Sequence, residues 1–506
     1  MKADVGSVGA LRNAGRFYIG GAWVQASSDS RIDVIDSATE VVSFQVAEAQ
    51  APDMSRAVAS ARQAFDEGAW PGMSHAERAG YLRAIATGLR HRADDEAQMW
   101  PRESGVLHSL AVHSAPGAAA AFDYYAGLAE TFAFEKVVTP TYGNFGLLSR
   151  EPVGVVGAII PWNAPLGLIS YKVAPALLAG CTVVLKSSPE APGEGHLLAE
   201  VAHAAGLPAG VVNVVTADRD VSELLVRDPR VDKITFTGST AAGRRIASLC
   251  GKRIARFTLE LGGKSAAVVL DDADVDATAA VLADVGCMMS GQVCSLLSRI
   301  VVTRSRHDQF VDALADRVRQ VRVGDPFDAD SQMGPLAASR HRDRVEGYIA
   351  KGVAAGATLA TGGGRPKHLD RGWYVEPTVF GNVDNSSVIA QEEIFGPVLS
   401  VIPADDEREA IAIANDTIYG LNASVFTDDV DRARDVARQL RSGTVGHNGF
   451  HSDMNVAFGG FKQSGIGREG GEEGLLPFLE TKTVILDGSP TGYNRHDVDV
   501  DAHGRI

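Results

Sequence analysis

Apolar runs alternate with amphipathic segments along the chain from residue 151, at intervals of about 20–30 residues. Short β-branched runs predict strands at 155–160, 182–185, 211–215 and 233–236. The segments that separate and follow them predict helices at 165–178, 195–205, 223–226 and 241–250. Gly180 follows the first of these helices, where glycine readily adopts the left-handed conformation that ends a helix. Strands alternating with helices at this spacing predict a parallel, doubly wound sheet.

A second series of the same kind follows the glycine pair at 262–263. It predicts strands at 266–270, 299–302, 378–380 and 398–402, and helices at 310–321, 407–414 and 431–440. Because the glycine pair separates the two series, we place a domain boundary there. The predicted fold class is α/β, with two doubly wound, Rossmann-like domains facing a central cleft, the usual position of a cofactor-dependent site.

Length and composition agree with more than one packed unit. The chain has 506 residues, of which 45% are hydrophobic, so it is too apolar for a disordered protein. Single cores stop growing near ~250–300 residues, which predicts two or three units. The net charge of −15 argues against sequence-independent binding of nucleic acid.

Cysteine usage and hydropathy predict a cytoplasmic protein. The four cysteines are Cys181, Cys250, Cys287 and Cys294, and their spacing fits neither a disulfide framework nor a zinc site. The N-terminus has no apolar signal region, and no apolar stretch approaches the ~18–20 residues that span a bilayer. We therefore expect reduced thiols and no membrane partner. Residues 1–15 and 488–506 are polar and aperiodic, so we expect them to be poorly ordered.

Three segments carry candidate chemistry. Residues 236–243 run from a strand through Gly238 into a helix, which can hold a phosphate but also fits an ordinary strand–helix turn. Cys294 is flanked by small polar residues, so it is a candidate nucleophile, although a structural thiol fits as well. Glu260 lies between two leucines at a strand end and is a candidate general base, or else a salt-bridged structural glutamate.

Weaker signals lie at two other strand ends and in one loop. Asn163 could donate its amide to an oxyanion, and Lys186 ends the next strand, but each also fits a satisfied polar group. His447 and His451 are four residues apart in a glycine-rich loop without a carboxylate partner, so we expect no metal site.

Taken together, these segments resemble the aldehyde dehydrogenase superfamily from about residue 17 to residue 483. The motifs that carry the resemblance stand in the family's order: 161–163, Lys186, 238–243, 259–263, 291–294, 392–398 and 458–465. The resemblance implies that Cys294 is the nucleophile and Glu260 the general base. It also implies that Asn163, together with the Cys294 N–H, holds the oxyanion.

The resemblance implies a nicotinamide cofactor and an aldehyde substrate. The expected cofactor-binding residues are Ile160, Trp162, Lys186, Ser188, Pro189, Gly238, Ser239, Glu260, Leu261, Gly262, Glu393 and Phe395. The expected substrate pocket comprises Leu168, Tyr171, Met288, Met289, Ser295, Phe450, Met454 and Val456. That wall is largely apolar and lacks arginine and lysine, so we expect aliphatic, terpenoid or aromatic aldehydes.

The family's domain plan is also carried over. It implies an NAD(P)-binding domain at 16–136 and 154–262 and a catalytic domain at 263–465. A bridging β-flap at 137–153 and 480–487 would build a homo-oligomer, either a dimer or a tetramer.

The chain departs from the family's usual pattern at two positions. Ser290 stands where the family usually has asparagine, and we expect this change to perturb only the packing of the loop. Pro189 stands where NAD-specific relatives often have a glutamate that accepts hydrogen bonds from the ribose and repels a 2′-phosphate, and Glu190 follows it. We therefore expect NAD as the working cofactor, with NADP accepted better than in those relatives.

The implied reaction passes through a thiohemiacetal and a thioester on Cys294, and Glu260 then activates the water that releases the acid. Three other functions fit only part of this set of residues. A CoA-acylating relative would not need Glu260 as a base. A thioester or ester hydrolase would not need Glu393 and Phe395. A non-catalytic dinucleotide-binding protein would have no use for Cys294, Glu260 and Asn163 together.

Overall fold

The computed structural model of the protein describes residues 11–453 and 455–493. Its strands are β1 Arg16–Ile19, β2 Ala22–Gln25, β3 Arg31–Ile35, β4 Val42–Ala47, β5 Glu135–Val138, β6 Phe145–Pro152, β7 Val155–Ile159, β8 Thr182–Ser187, β9 Val212–Thr216, β10 Lys233–Thr237, β11 Arg256–Glu260, β12 Ala266–Val269, β13 Arg299–Thr303, β14 Thr358–Thr361, β15 Thr378–Gly381, β16 Val398–Ala404, β17 Asn422–Phe426, β18 Thr444–His447, β19 Gly465–Ile466 and β20 Leu479–Leu486. Its α-helices are α1 Ala51–Asp66, α2 His75–His91, α3 Ala93–Ser104, α4 His108–Ala111, α5 Ser114–Thr131, α6 Pro165–Ala179, α7 Gly193–Ala204, α8 Arg219–Arg227, α9 Thr240–Arg253, α10 Val275–Cys287, α11 Arg304–Arg319, α12 Ser339–Ala354, α13 Val388–Gln391, α14 Glu407–Asn415 and α15 Val430–Ala437.

Two large sheets confirm the predicted α/β fold class. Over the described residues, the first sheet has the order β19-β11-β10-β7-β8-β9-β1-β2, and the second has the order β14-β15-β16-β13-β12-β17-β18. The strands from β11 to β9 in the first sheet are parallel, as are those from β15 to β18 in the second. This arrangement is the doubly wound pattern that the alternation of strands and helices predicts.

Each large sheet is buried on both faces. Successive residues of a strand point to opposite sides of the sheet, so neighbouring residues report on the two faces separately. Val183 and Leu185 of β8 belong to one apolar cluster, and Val184 between them belongs to another. In the second sheet, Val268 and Val269 of β12 divide between two clusters in the same way. Helices on both faces therefore enclose each sheet, which explains why these strands read as continuous apolar runs.

Helices α8, α11 and α15 begin or end at residues other than the predicted ones. Helix α8 starts earlier than the predicted 223–226 because the Asp218 side chain accepts a hydrogen bond from the Arg219 N–H. Helix α11 likewise precedes the predicted 310–321, starting directly after β13 at Arg304. The predicted helix over 431–440 ends earlier, with α15 at Ala437.

A smaller antiparallel sheet has the order β20-β6-β5. Strand β6 lies in its middle, paired along its whole length with β20 at Val484 and its neighbours. The predicted β-flap includes most of β6 and β20, whereas β5 begins two residues before the predicted segment at 137–153. The predicted poorly ordered ends include residues 1–10 and 494–506, which lie outside the described residues.

No helix within the described ranges is both long enough and apolar enough to cross a membrane.

Candidate active site

The predicted site residues of the first sheet gather at the carboxyl ends of its parallel strands. Asn163 lies just beyond β7, and Lys186 lies near the end of β8. Gly238 follows β10, and Glu260 is the last residue of β11. Because β7, β8, β10 and β11 are neighbours, their ends meet at one edge of the sheet, where ligands of such folds bind.

The loop that carries Cys294 has an unusual backbone. Met289, Ser290 and Gly291 adopt positive φ angles of 50°, 57° and 72°, and Gly291 packs so closely on Gly396 that a Cβ atom would come within 2.2 Å of its carbonyl carbon. The Ser290 hydroxyl donates a hydrogen bond to the Gly334 carbonyl at 2.8 Å. Ser290 therefore has a partner of its own, although asparagine tolerates this left-handed conformation better than serine does.

Gln292 ties the same loop to two other segments. Its amide nitrogen donates to the Ser104 carbonyl at 3.1 Å, and its amide oxygen accepts from the Ala337 N–H at 2.9 Å. Asn163 holds the loop from a third side, since its amide nitrogen donates to the Gln292 carbonyl at 3.0 Å. These contacts fix the backbone directly before Cys294.

An inner cavity of about 220 Å³ brings together two of the three predicted catalytic residues and several predicted cofactor-binding residues. Glu260, Ile160 and Gly262 line neither this cavity nor the outer cavity at the end of β8. The lining of the inner cavity includes Trp162, Asn163, Gly238, Ser239, Leu261, Cys294, Glu393 and Phe395. Trp162 contacts Phe395 edge-on, with ring centroids 5.4 Å apart. The inner cavity therefore joins groups from the first sheet, the Cys294 loop and the segment after α13.

An outer cavity of about 540 Å³ contains the predicted cofactor-binding residues at the end of β8. Lys186, Ser188 and Pro189 line it, and so does Ser239, which also lines the inner cavity. Ser239 caps α9, since its hydroxyl accepts from the Ala242 N–H at 3.3 Å. The N-terminus of α9 thus lies between the two cavities, where its free N–H groups favour an anion such as a phosphate.

Asn163 keeps one amide hydrogen that is not used by the described part of the protein. An asparagine amide carries two N–H hydrogens, and the bond to the Gln292 carbonyl uses one of them. Asn163 is 8% exposed and lines the inner cavity together with Cys294. The second hydrogen is therefore available to a ligand oxygen next to the thiol.

The surroundings of the Cys294 thiol oppose its ionisation. Burial, and then the nearby Glu393 and Glu260 carboxylates, raise the pKa of the Cys294 thiol to about 12. A thiolate is the reactive form, so nucleophilic attack requires either a base or a positive charge nearby. A bound nicotinamide ring carries such a charge in its oxidised form.

Glu260 lies in a buried polar cluster. Its side chain is 2% exposed, and neither carboxylate oxygen has a hydrogen-bond partner among the described residues. Burial, and then the charge of Glu469, raise the pKa of Glu260 well above its usual value, while Lys172 and Arg468 oppose the rise. Such a carboxyl exchanges protons at a higher pH than an exposed glutamate, as a general base near neutrality must.

Lys172 and Glu469 form a buried ion pair within this cluster. The Lys172 amine also donates to the Thr237 hydroxyl at 2.6 Å. Lys172 is 0% exposed and Glu469 is 3% exposed, so each charge depends on the other for compensation. Sequence reasoning missed both residues, yet one signal was available, because Lys172 is a charge inside the apolar helix α6.

Glu393 lies against the glycine pair at 262–263. Its carboxylate accepts from the Gly263 N–H at 3.2 Å, and a Cβ atom on Gly262 would come within 2.4 Å of it. Burial raises the pKa of Glu393 to about 7, although this hydrogen bond and two nearby cations oppose the rise. Only glycine at 262 leaves room for this carboxylate in the inner cavity.

Helix α12 contributes residues to the inner cavity that we did not predict. His341 packs on Trp162 with ring centroids 4.4 Å apart, and its Nε2 atom is buried without a hydrogen-bond partner in the described part of the chain. Arg344 also lines this cavity and donates to the Glu393 carbonyl. The buried imidazole nitrogen of His341 and a cation beside the N-terminus of α9 fit a polar, anionic ligand such as the pyrophosphate of a dinucleotide.

The predicted substrate-pocket residues lie on several different elements. Leu168 and Tyr171 lie on α6, Met288 and Met289 precede the Cys294 loop, and Ser295 follows Cys294. Phe450 packs against the core of the second sheet, whereas Val456 is 57% exposed. Met454 lies outside the described residues. Neither the inner nor the outer cavity is lined by this set, so the substrate pocket stays a prediction.

Comparison with known proteins covers nearly the whole chain. Residues 23–484 match the sequence model of the aldehyde dehydrogenase family. The chain is 44% identical to a geranial dehydrogenase of Castellaniella defragrans over 93% of its own length and 98% of that protein's. It is also 45% identical to an aldehyde dehydrogenase of Mycobacterium tuberculosis solved with NAD⁺, with a TM-score of 0.92 and coverage of 95% and 99% of the two chains.

A third relative is an aldehyde dehydrogenase C of Pseudomonas syringae, solved as a cysteine-to-alanine variant with NAD⁺ and octanal. The two chains are 40% identical, with a TM-score of 0.91 and coverage of 94% and 98%.

Proposed function

The chain belongs to the aldehyde dehydrogenase family, and on that premise we propose that it oxidises an apolar aldehyde to the carboxylic acid with NAD as hydride acceptor. The observation that carries the proposal is the convergence of Asn163, Cys294 and Glu393 on one cavity, with Glu260 in electrostatic reach of the thiol. These groups supply an oxyanion donor, a nucleophile, a cofactor contact and a base.

The reaction begins when the Cys294 thiol loses its proton to solvent and the thiolate sulfur adds to the aldehyde carbonyl carbon. The carbonyl π bond breaks, and its electron pair moves to the oxygen, which Asn163 and the Cys294 N–H stabilise. A nicotinamide held by Glu393 and Phe395 would supply the acceptor for the hydride that leaves the former aldehyde carbon. Loss of that hydride restores the carbonyl and leaves a thioester on Cys294.

Hydrolysis of the thioester requires Glu260. Its carboxylate takes a proton from water as the water oxygen attacks the thioester carbon, and the C–S bond then breaks. The products are the carboxylic acid, the Cys294 thiolate and a protonated Glu260, which releases its proton to solvent before another cycle. Lys172 and Glu469 set the electrostatic environment of this step, because they act in opposite directions on the pKa of Glu260.

The two ends of the dinucleotide would bind in different cavities. The N-terminus of α9, with Gly238 and Ser239, would hold the pyrophosphate. Lys186 and Ser188 in the outer cavity would contact the adenosine ribose, and Glu393 and Phe395 in the inner cavity the nicotinamide end. Pro189 cannot accept a hydrogen bond through its side chain, so NADP is accepted in addition to NAD, which remains the working cofactor.

The substrate class is proposed from the apolar pocket residues and from two relatives. One relative is named for geranial, and another was solved with octanal, and both of these aldehydes are apolar. The test is a panel of medium-chain aliphatic, terpenoid and aromatic aldehydes against succinic semialdehyde and glyceraldehyde phosphate. We expect the highest kcat/KM with an apolar member, and preference for an acidic or phosphorylated member would refute this assignment.

One spectroscopic measurement separates the proposed reaction from the other readings. We expect absorbance of the reduced nicotinamide to appear with aldehyde and NAD, at a rate that CoA does not increase. Dependence on CoA would indicate an acylating enzyme. Absence of the absorbance change with every aldehyde would favour a hydrolase or a binding protein.

The small sheet supports a homo-oligomer, either a dimer or a tetramer. Strand β20 is an edge strand of eight residues, and Ile485 on it is 56% exposed. A long edge of this kind favours pairing with another chain. Light scattering after size-exclusion chromatography tests the oligomer, with a monomer as the contradicting result.

The four cysteines are unpaired, which supports a reducing compartment such as the cytoplasm.

A further inference from the structure

A charged bridge crosses the cleft between the loop after β8 and the first turn of α12. The Glu190 carboxylate accepts a hydrogen bond from the Arg340 guanidinium with one oxygen and from the Ser188 hydroxyl with the other. Glu190 is 20% exposed and Arg340 is 58% exposed, so the pair lies at the rim of the cleft. Both carboxylate oxygens of Glu190 therefore already have protein partners.

Glu190 belongs to the outer cavity, where the adenosine ribose of a dinucleotide is expected. The charged residues that line this cavity are Lys186, Glu190, Asp218, Arg219, Glu223 and Arg245. Arg245 forms an ion pair with Glu223, and the Asp218 side chain caps its own helix. Glu190 is therefore the acidic residue of this cavity whose negative charge is balanced by a cation from the other side of the cleft, Arg340.

The charge on Glu190 is maintained in the structure. The Ser188 hydroxyl and the Arg340 guanidinium, with help from Lys186, lower the pKa of Glu190 below its ordinary value although the group is partly buried. A free, ionised carboxylate at this place would accept hydrogen bonds from ribose hydroxyls and would repel a 2′-phosphate. Pairing with Arg340 occupies the carboxylate and cancels much of that repulsion.

We propose that Arg340 sets the choice between NAD and NADP by holding the Glu190 carboxylate. The inference rests on the proposed function, because it requires that the outer cavity binds the adenosine end of the cofactor. Arg340 is a positioning residue, since it acts on the cofactor through Glu190. When Arg340 is paired with Glu190, the cavity tolerates a 2′-phosphate. When Arg340 is absent, the free Glu190 carboxylate repels the 2′-phosphate and binds the ribose hydroxyls, so the cavity prefers NAD.

The test is direct binding of NAD⁺ and NADP⁺ by isothermal titration calorimetry to the full-length protein. Arg340→Gln should tighten NAD⁺ binding several-fold and weaken NADP⁺ binding, so that the ratio of the two dissociation constants changes by about tenfold, the scale of one charge-assisted contact. In a Glu190→Gln background, the same Arg340→Gln change should leave NAD⁺ binding within about twofold, because the group that Arg340 holds is gone.

Lys351→Gln is the matched control for loss of one positive charge. Lys351 lies on α12 as well, eleven residues beyond Arg340 and about 16 Å along the helix axis, and its amine packs over the Tyr348 ring. We expect both dissociation constants to be unchanged in this variant. A similar shift in Lys351→Gln would attribute the effect to net charge and would overturn the proposal.

The remaining outcomes are equally decisive. If Arg340→Gln weakens NADP⁺ binding but leaves NAD⁺ binding unchanged in both backgrounds, Arg340 contacts the phosphate itself and the proposal is wrong. Unchanged affinities for both dinucleotides would overturn this inference alone. If the unaltered protein binds neither dinucleotide, the proposed function fails and this inference fails with it.

Discussion

Replacement of Glu260 by glutamine should separate the two halves of the reaction. The amide has nearly the shape of the carboxyl group but cannot take a proton from water. Addition of aldehyde to Cys294 and loss of hydride do not require that base, whereas hydrolysis of the thioester does. Glu260→Gln should therefore accumulate the acyl-enzyme.

The magnitude follows from the environment of the side chain. Glu260 is 2% exposed, and its carboxylate oxygens have no hydrogen-bond partner in the described part of the chain, so both are free to accept a proton. General-base catalysis contributes about 10²–10⁴ in rate, which corresponds to about 3–5 kcal/mol of barrier. We expect kcat to fall by that factor when hydrolysis limits turnover.

The pH dependence adds a second signature. Since burial and Glu469 raise the pKa of Glu260, its deprotonated fraction in the unaltered enzyme grows with pH through a range above that of an ordinary glutamate. Each pH unit below that pKa lowers the base fraction about tenfold, equivalent to ~1.4 kcal/mol. The hydrolysis rate should therefore rise with pH in the unaltered enzyme, and this rise should be absent from Glu260→Gln.

Stopped-flow absorbance of the reduced cofactor is the assay. We expect a burst close to one equivalent per active site in Glu260→Gln, followed by slow turnover, and intact-mass spectrometry should find the acyl group on Cys294. Two results would refute the reasoning. One is a fall in kcat of less than about threefold, far below the usual range for a base. The other is loss of the burst together with turnover, which would place Glu260 in the first half of the reaction.

Three further predictions concern the oxyanion, the buried ion pair and the cofactor. Asn163→Ala should lower kcat by about 10²–10³ with little change in the dissociation constant for NAD, and steady-state kinetics with unchanged kcat would contradict the oxyanion role. Lys172→Met leaves the Glu469 charge unpaired and lets the pKa of Glu260 rise further, so it should destabilise the fold by about 3–5 kcal/mol. A raised carboxyl pKa costs stability above the unfolded-state pKa, so the deficit in thermal denaturation should be largest at high pH and should shrink as pH falls towards about 4. A deficit that grows on acidification would contradict this account. Pro189→Glu should sharpen the preference for NAD in paired kcat/KM measurements, whereas exclusion of NADP by more than a thousandfold in the unaltered enzyme would show that Pro189 does not set the preference.

The two large sheets could be predicted because their strands are buried on both faces. The β-branched runs at 155–160 and 233–236 correspond to β7 and β10 within one residue at each end. The region between residues 17 and 136 offered no comparable signal, and we predicted no individual elements there. Helix α5 is one example, since its alanine-rich sequence gives little contrast between buried and exposed faces.

A site residue could be predicted from the sequence where a single short motif implies that residue's role. Asn163, Cys294 and Glu393 each belong to a short motif, and the structure places all three on the inner cavity. The groups that sequence reasoning missed act through partners that are distant in the chain. Lys172 and Glu469 are 297 residues apart, and Arg340 is 150 residues from Glu190, which sequence reasoning does name, so only the folded chain shows that they meet.

The central claim is that Cys294 performs covalent catalysis on an aldehyde in a dinucleotide-binding cleft. Cys294→Ala tests it most directly, with aldehyde-dependent reduction of NAD followed at the absorbance band of the reduced cofactor. Calorimetric titration with NAD⁺ shows in parallel that the variant still binds the cofactor. We predict that reduction of NAD disappears while NAD⁺ binding is retained. Full activity of Cys294→Ala would contradict the account.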